Sequence, residues 1–124
     1  MKVLIIDDEK GVLKMYSECL NMGGVETLTA PDGETGFKMA KENKPDVIFL
    51  DIIMPKFNGL DVLRDIKNDP DLKNTPVFLL TNLPPESSGS KAKELGAAGY
   101  LVKAEYEPKM LLDIVKSAAK IPIN

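Results

Sequence analysis

Five polar residues stand just past the ends of apolar runs. Asp7 and Asp8 follow Val3-Leu4-Ile5-Ile6, Asp51 follows Val47-Ile48-Phe49-Leu50, Thr81 follows Val77-Phe78-Leu79-Leu80, and Lys103 follows Tyr100-Leu101-Val102. If those runs are parallel strands, all five side chains gather at one edge of one sheet. Three carboxylates that close repel one another and raise one another's pKa unless a cation compensates. Hard oxygen ligands of this kind suit Mg²⁺, which keeps several waters and bridges to phosphate, and Mn²⁺ can stand in for it. With a divalent ion and Lys103 the three acids come close to charge neutrality, so an incoming phosphoryl group meets no net repulsion. An aspartate can then serve as the nucleophile and form an aspartyl phosphate.

The elements that must position these residues follow from apolar periodicity. Strands are expected at residues 3–6, 25–29, 47–50, 77–80 and 100–102. Helices are expected at 11–22, from the Pro31-Asp32-Gly33 turn to about 43, at 59–68, from an open start to about 95, and at 108–120. Tyr16, Cys19 and Leu20 share the apolar face of the first helix, which predicts a buried thiol. Met15, Met22 and Met54 read as packing. The third and fourth runs are apolar throughout, as in strands covered on both faces. Strict βα alternation with short connections predicts an α/β, doubly wound (βα)5 flavodoxin-like domain, with a five-stranded parallel sheet of order 2-1-3-4-5 and helices on both faces. In that order strands 1 and 3 are neighbours about 4.8 Å apart, strand 4 is next to strand 3, and strand 5 lies two spacings away. Short acids on adjacent strands, a hydroxyl next door and a long lysine two strands off fit a site centred on Asp51.

The chain has 124 residues, 44% hydrophobic, with a net charge of −3 and Cys19 as its one cysteine. One domain spanning residues 1–124 is expected. No basic strip points to direct nucleic-acid binding, no disulfide or cysteine metal site can form within the chain, and no apolar run approaches the length of a membrane helix. The chain reads as soluble and cytoplasmic.

The same residues carry a family resemblance. Asp7-Asp8, the Asp51-Ile52-Ile53-Met54-Pro55 stretch with Gly59, Thr81, and Gly96-Ala97 followed by Tyr100-Leu101-Val102-Lys103 resemble, in order, the motifs of a response regulator receiver domain of the single-domain chemotaxis type. The resemblance implies that Asp51 accepts a phosphoryl group from the phosphohistidine of a sensor histidine kinase or phosphotransfer protein. It implies Mg²⁺ ligation by Asp8, Asp51 and the Ile53 carbonyl, with Asp7 acting through metal-bound water. Lys103 and Thr81 then contact the phosphoryl oxygens, and Thr81 and Tyr100 form the switch. Such a domain is not an enzyme in the usual sense, since it catalyses only its own phosphorylation and slow autodephosphorylation. It signals to an unknown downstream protein, as a monomer or as a phosphorylation-dependent dimer through helix 4, strand 5 and helix 5. It is either a stand-alone receiver or part of a longer regulator.

Four departures from the usual pattern are visible. Ala104 replaces a common proline, so a trans Lys103–Ala104 peptide is expected. Asn82 replaces a small residue. Ile53 and Leu83 are apolar where faster-hydrolysing relatives can carry polar groups, which predicts a long-lived phosphate. Leu83 to Ser90 is a poor helix start, predicting a short or mobile helix 4 or one capped by Ser87 or Ser88. Three rival readings fit these residues less well. A flavin carrier lacks its phosphate-cradling loop after strand 1. An aspartate-nucleophile phosphatase would want an acid at Ile53. A receiver-like interaction module that is not phosphorylated would not need all five site residues.

Overall fold

The computed structural model describes residues 1–120, with side chains through residue 117. Its elements run β1 (Lys2–Ile6), α1 (Lys10–Met22), β2 (Glu26–Ala30), α2 (Gly33–Asn43), β3 (Val47–Leu50), β4 (Ile53–Met54), β5 (Phe57–Asn58), α3 (Gly59–Asn68), β6 (Val77–Thr81), α4 (Pro85–Glu94), β7 (Gly99–Val102) and α5 (Pro108–Lys120). The main sheet has the order β2-β1-β3-β6-β7 and is parallel throughout. This is the expected order 2-1-3-4-5, with the short antiparallel pair β4–β5 inserted after β3. Residues 53–58 carry no apolar alternation or glycine turn that would signal that pair. Its turn residue Lys56 takes φ 69°, a left-handed conformation that carries no glycine signal.

Alternation along the strands divides the core in two. Val3, Ile5, Val47, Phe49, Leu80 and Leu101 face α1 and α5, where Leu13, Tyr16, Leu20, Leu111 and Val115 meet them. Leu4, Ile6, Ile48, Leu50, Val77 and Leu79 face the other layer, which supplies Ala40, Val62, Leu63, Ile66 and Ala92 from α2, α3 and α4. β3 is buried along its whole length, which explains its unbroken apolar run.

Capping matches the sequence. Asp32 accepts from the Thr35 amide at 2.7 Å at the start of α2, and Asn58 accepts from the Leu60 amide at 2.8 Å at the start of α3. α4 is capped by neither Ser87 nor Ser88. It begins at Pro85, ahead of the serines, with no side-chain cap, and runs ten residues with only Ala92 buried. Proline is tolerated there because the first-turn amide has no partner to lose. Three packing expectations also fail. Cys19 is only half-buried, and Met15 and Met22 are 47% and 89% exposed, whereas Met54 is buried. No helix among the described residues is long and apolar enough to cross a membrane.

Candidate functional site

Strand register brings the acids together. Ile6 pairs with Leu50, so Asp7 and Asp51 leave the sheet side by side, and their amides donate to Ala30 and Ile6 carbonyls at 3.0 Å. Both are buried. Each carboxylate is held at both oxygens. Asp7 Oδ1 accepts from the Glu9 amide at 2.9 Å and Asp51 Oδ1 from the Ile52 amide at 2.7 Å. Their Oδ2 atoms share the Lys103 ammonium, at 2.7 Å from Asp7 and 3.0 Å from Asp51. Asp8 completes the cluster: one carboxylate oxygen from each of Asp7, Asp8 and Asp51 lies within 4.8 Å of the others. Oxygen-only donors this close, each with a lone pair to spare, fit a hard divalent cation. Asp8 and Asp51 line a cleft with Glu9, Ile53, Thr81, Asn82, Leu83 and Lys103 of about 420 Å³.

Burial raises the Asp7 carboxyl above its ordinary value, although the Lys103 ammonium and the Glu9 amide pull it the other way. Burial alone would lower Lys103, but its contacts with Asp7 and Asp51 outweigh that and hold it above the usual lysine range. The lysine is therefore held in its charged form well beyond neutral pH.

Lys103 reaches the acids although Ala104 follows it. Residues 103–105 form a 3₁₀ turn closed by the Tyr106 amide on the Lys103 carbonyl at 3.2 Å, and every described peptide bond is trans.

One acid joins the site beyond those the strand ends supply. Glu9 also touches Lys103, at 3.3 Å, so four acids set against Lys103 and a divalent ion leave one net negative charge rather than none. Its place directly after Asp7-Asp8 was the only signal for it. Thr81 is buried, but its hydroxyl accepts from the Leu83 amide at 3.3 Å and makes no bond to Asp51. Alternation explains this: Thr81 continues the Val77/Leu79 side of β6, toward α4, where Tyr100 also packs. The Tyr100 hydroxyl donates to the Leu83 carbonyl at 3.0 Å and lies 3.4 Å from that of Pro84, at the entry to α4.

Gly59 explains the last motif position. A Cβ there would overlap the Asp51 carbonyl oxygen and stand 2.7 Å from Ile52 Cα, so the first turn of α3 can press against the backbone of Asp51 only as glycine.

The model of the response regulator receiver domain matches residues 3–116. The chain belongs to that family. This receiver is 40% identical over 110 residues to the probable transcriptional regulator ycf27 of Guillardia theta, covering 89% of the chain and 42% of that protein. It thus spans less than half the length of such curated relatives. Its fold superposes on chemotaxis protein CheY4 of Vibrio cholerae with a TM-score of 0.87 at 32% identity, covering 94% of the receiver and 97% of CheY4. It also superposes on the BeF3-activated DrrB receiver domain with a TM-score of 0.82 at 33% identity, over 96% and 97% of the two chains.

Proposed function

We propose that the receiver takes a phosphoryl group onto Asp51 from the phosphohistidine of a sensor histidine kinase or phosphotransfer protein. One observation carries this reading: Asp51 is buried at the sheet edge beside two more aspartates, and its Oδ2 is held by the Lys103 ammonium at 3.0 Å. In the transfer an Asp51 oxygen forms the new P–O bond as the P–N bond to imidazole breaks, and the departing nitrogen keeps the electron pair and later a proton. The Ile52 amide fixes the orientation of the Asp51 carboxylate, and Lys103 balances charge on the phosphoryl oxygens. Asp8, Asp51 and the Ile53 carbonyl would hold Mg²⁺ or Mn²⁺, with Asp7 reaching it through water. The ion supplies the positive charge that phosphoryl oxygens need in a pocket lined by acids.

Thr81 and Tyr100 form the response. Formation of an Asp51 phosphate gives the Thr81 hydroxyl a new acceptor, and leaving Leu83 for it would loosen the segment that Tyr100 holds at the start of α4. The two-state element is then α4 with β7 and α5, the face through which a downstream protein or a second copy would bind. The domain, residues 1–124 on this reading, works in the cytoplasm and turns over no separate substrate. Residues 121–124 lie outside those described.

The test is intact-protein mass spectrometry after incubation with phosphoramidate and Mg²⁺. One phosphoryl group should add to the wild-type chain and none to Asp51→Asn. A wild-type chain that takes up none would leave an interaction module as the better reading.

A further inference from the structure

Tyr16 is a buried ionisable side chain for which the reading above has no use. It lies on α1, is 2% exposed, and sits among the apolar residues between the sheet and α5. A leucine would fill such a place without bringing a polar atom. A phenol there must find a partner or lose the hydration of its hydroxyl. The partner is the Tyr106 carbonyl, 3.4 Å away.

That contact meets the polypeptide where Lys103 needs support. The 3₁₀ turn at residues 103–105 has no buried residue and no side-chain cap. Turns of this type are weak when unsupported. Ala104 and Glu105 are exposed, so neither anchors the turn to the core. Among the described residues, the Tyr16 hydroxyl makes the only side-chain hydrogen bond to residues 104–107. The carbonyl it grips belongs to Tyr106, the residue whose own amide, on the other side of its Cα, closes the turn on the Lys103 carbonyl. Contacts therefore run from α1 through the phenol and the backbone of Tyr106, carbonyl to amide across its Cα, to the carbonyl of Lys103. From there the side chain continues to Asp7 and Asp51.

We infer that Tyr16 is a positioning residue for Lys103, its hydroxyl fixing the turn so that the ammonium lies on Asp7 and Asp51. For its effect on rate this rests on Asp51 being the phosphoryl acceptor. Tyr16→Phe removes the hydroxyl and keeps the ring in the core. Its phosphorylation rate with phosphoramidate at saturating Mg²⁺ should fall about two- to tenfold, the equivalent of one modest hydrogen bond. The second measurement is the ¹⁵Nζ resonance of Lys103, visible in wild type because the ammonium is buried and paired. In Tyr16→Phe it should broaden or shift, with the other lysine signals unchanged. A wild-type rate in Tyr16→Phe overturns the inference. So does a slower variant whose Lys103 resonance has not moved, because Tyr16 would then act only through packing. If the wild-type chain takes up no phosphoryl group, the acceptor reading fails by itself. The resonance comparison then still decides whether Tyr16 positions Lys103.

Discussion

Lys103→Met removes the ammonium shared by two buried carboxylates and keeps most of the aliphatic stem. Lys103 Nζ lies 2.7 Å from Asp7 and 3.0 Å from Asp51, and its side chain is 7% exposed. At an effective dielectric near 20, each contact is worth about 5–6 kcal/mol of Coulomb attraction. The cost of stripping the ammonium of water offsets much of this. Deleting one member of a buried pair typically destabilises by about 3–5 kcal/mol, and two carboxylates are stranded here, so the upper part of that range is expected. Against a typical domain stability of about 5–15 kcal/mol, the variant would keep a narrow margin near neutral pH.

The deficit should depend on pH. Burial already raises the Asp7 carboxyl, and losing Lys103 removes the main opposing influence. A carboxyl whose folded pKa lies above its unfolded value binds a proton on folding. Its stabilising effect is present at low pH and is lost as pH rises from the ordinary 3.8 through the folded value. The variant should therefore recover on acidification. In wild type, Lys103 is raised above 10.5, so its contribution is complete below that value and fades only in stronger alkali. Urea unfolding followed by circular dichroism, at about pH 7.5 and about pH 5, measures both effects. Millimolar Mg²⁺ should also narrow the deficit by binding the folded acids. A loss below about 1 kcal/mol near neutral pH, or one equal at the two pH values, would refute this account of the site.

Other parts of the structure give separate tests. Gly59→Ala forces a methyl group onto the Asp51 carbonyl oxygen and should destabilise by about 1–3 kcal/mol, while slowing phosphorylation by displacing Asp51. Chemical denaturation and phosphoramidate labelling check the two effects. Tyr100→Phe frees the Leu83 and Pro84 carbonyls, and amide exchange across residues 86–93 should quicken relative to α3; unchanged protection would show that the phenol does not hold α4. With Ile53 and Leu83 both apolar at the mouth of the cleft, no side chain at either position orients a water. The Asp51 phosphate should last well beyond minutes after the donor is removed, and a lifetime of seconds measured by mass spectrometry would contradict this.

The sheet order and the clustering of Asp7, Asp8 and Asp51 were legible because unbroken apolar runs have few other destinations and register then leaves no freedom. The same alternation, followed one residue further, puts Thr81 on the α4 side of β6, at the cleft that Asp51 also lines. Glu9 and Tyr16 were illegible for different reasons. An acid after two acids looks like a solvated turn, and a tyrosine at helical spacing looks like core. Their contacts depend on where a turn 90 residues later comes to rest, and local pattern does not encode that. The β4–β5 pair escaped because its left-handed residue is Lys56.

The two-sided core has a consequence for how this domain can diversify. If Tyr16 positions Lys103, then Asp7, Asp51 and Lys103 are braced from the α1 side, through Tyr16 and the backbone of Tyr106. Thr81 and Tyr100 look toward α4, which commits a single buried residue, Ala92, to the core. The sheet is thus a partition with the reaction braced on one side and the message composed on the other. Mutation can rewrite the exposed serines and lysines of α4 without disturbing the phosphoryl chemistry. One reactive centre can in this way be inherited unchanged while the partner that listens to it is replaced.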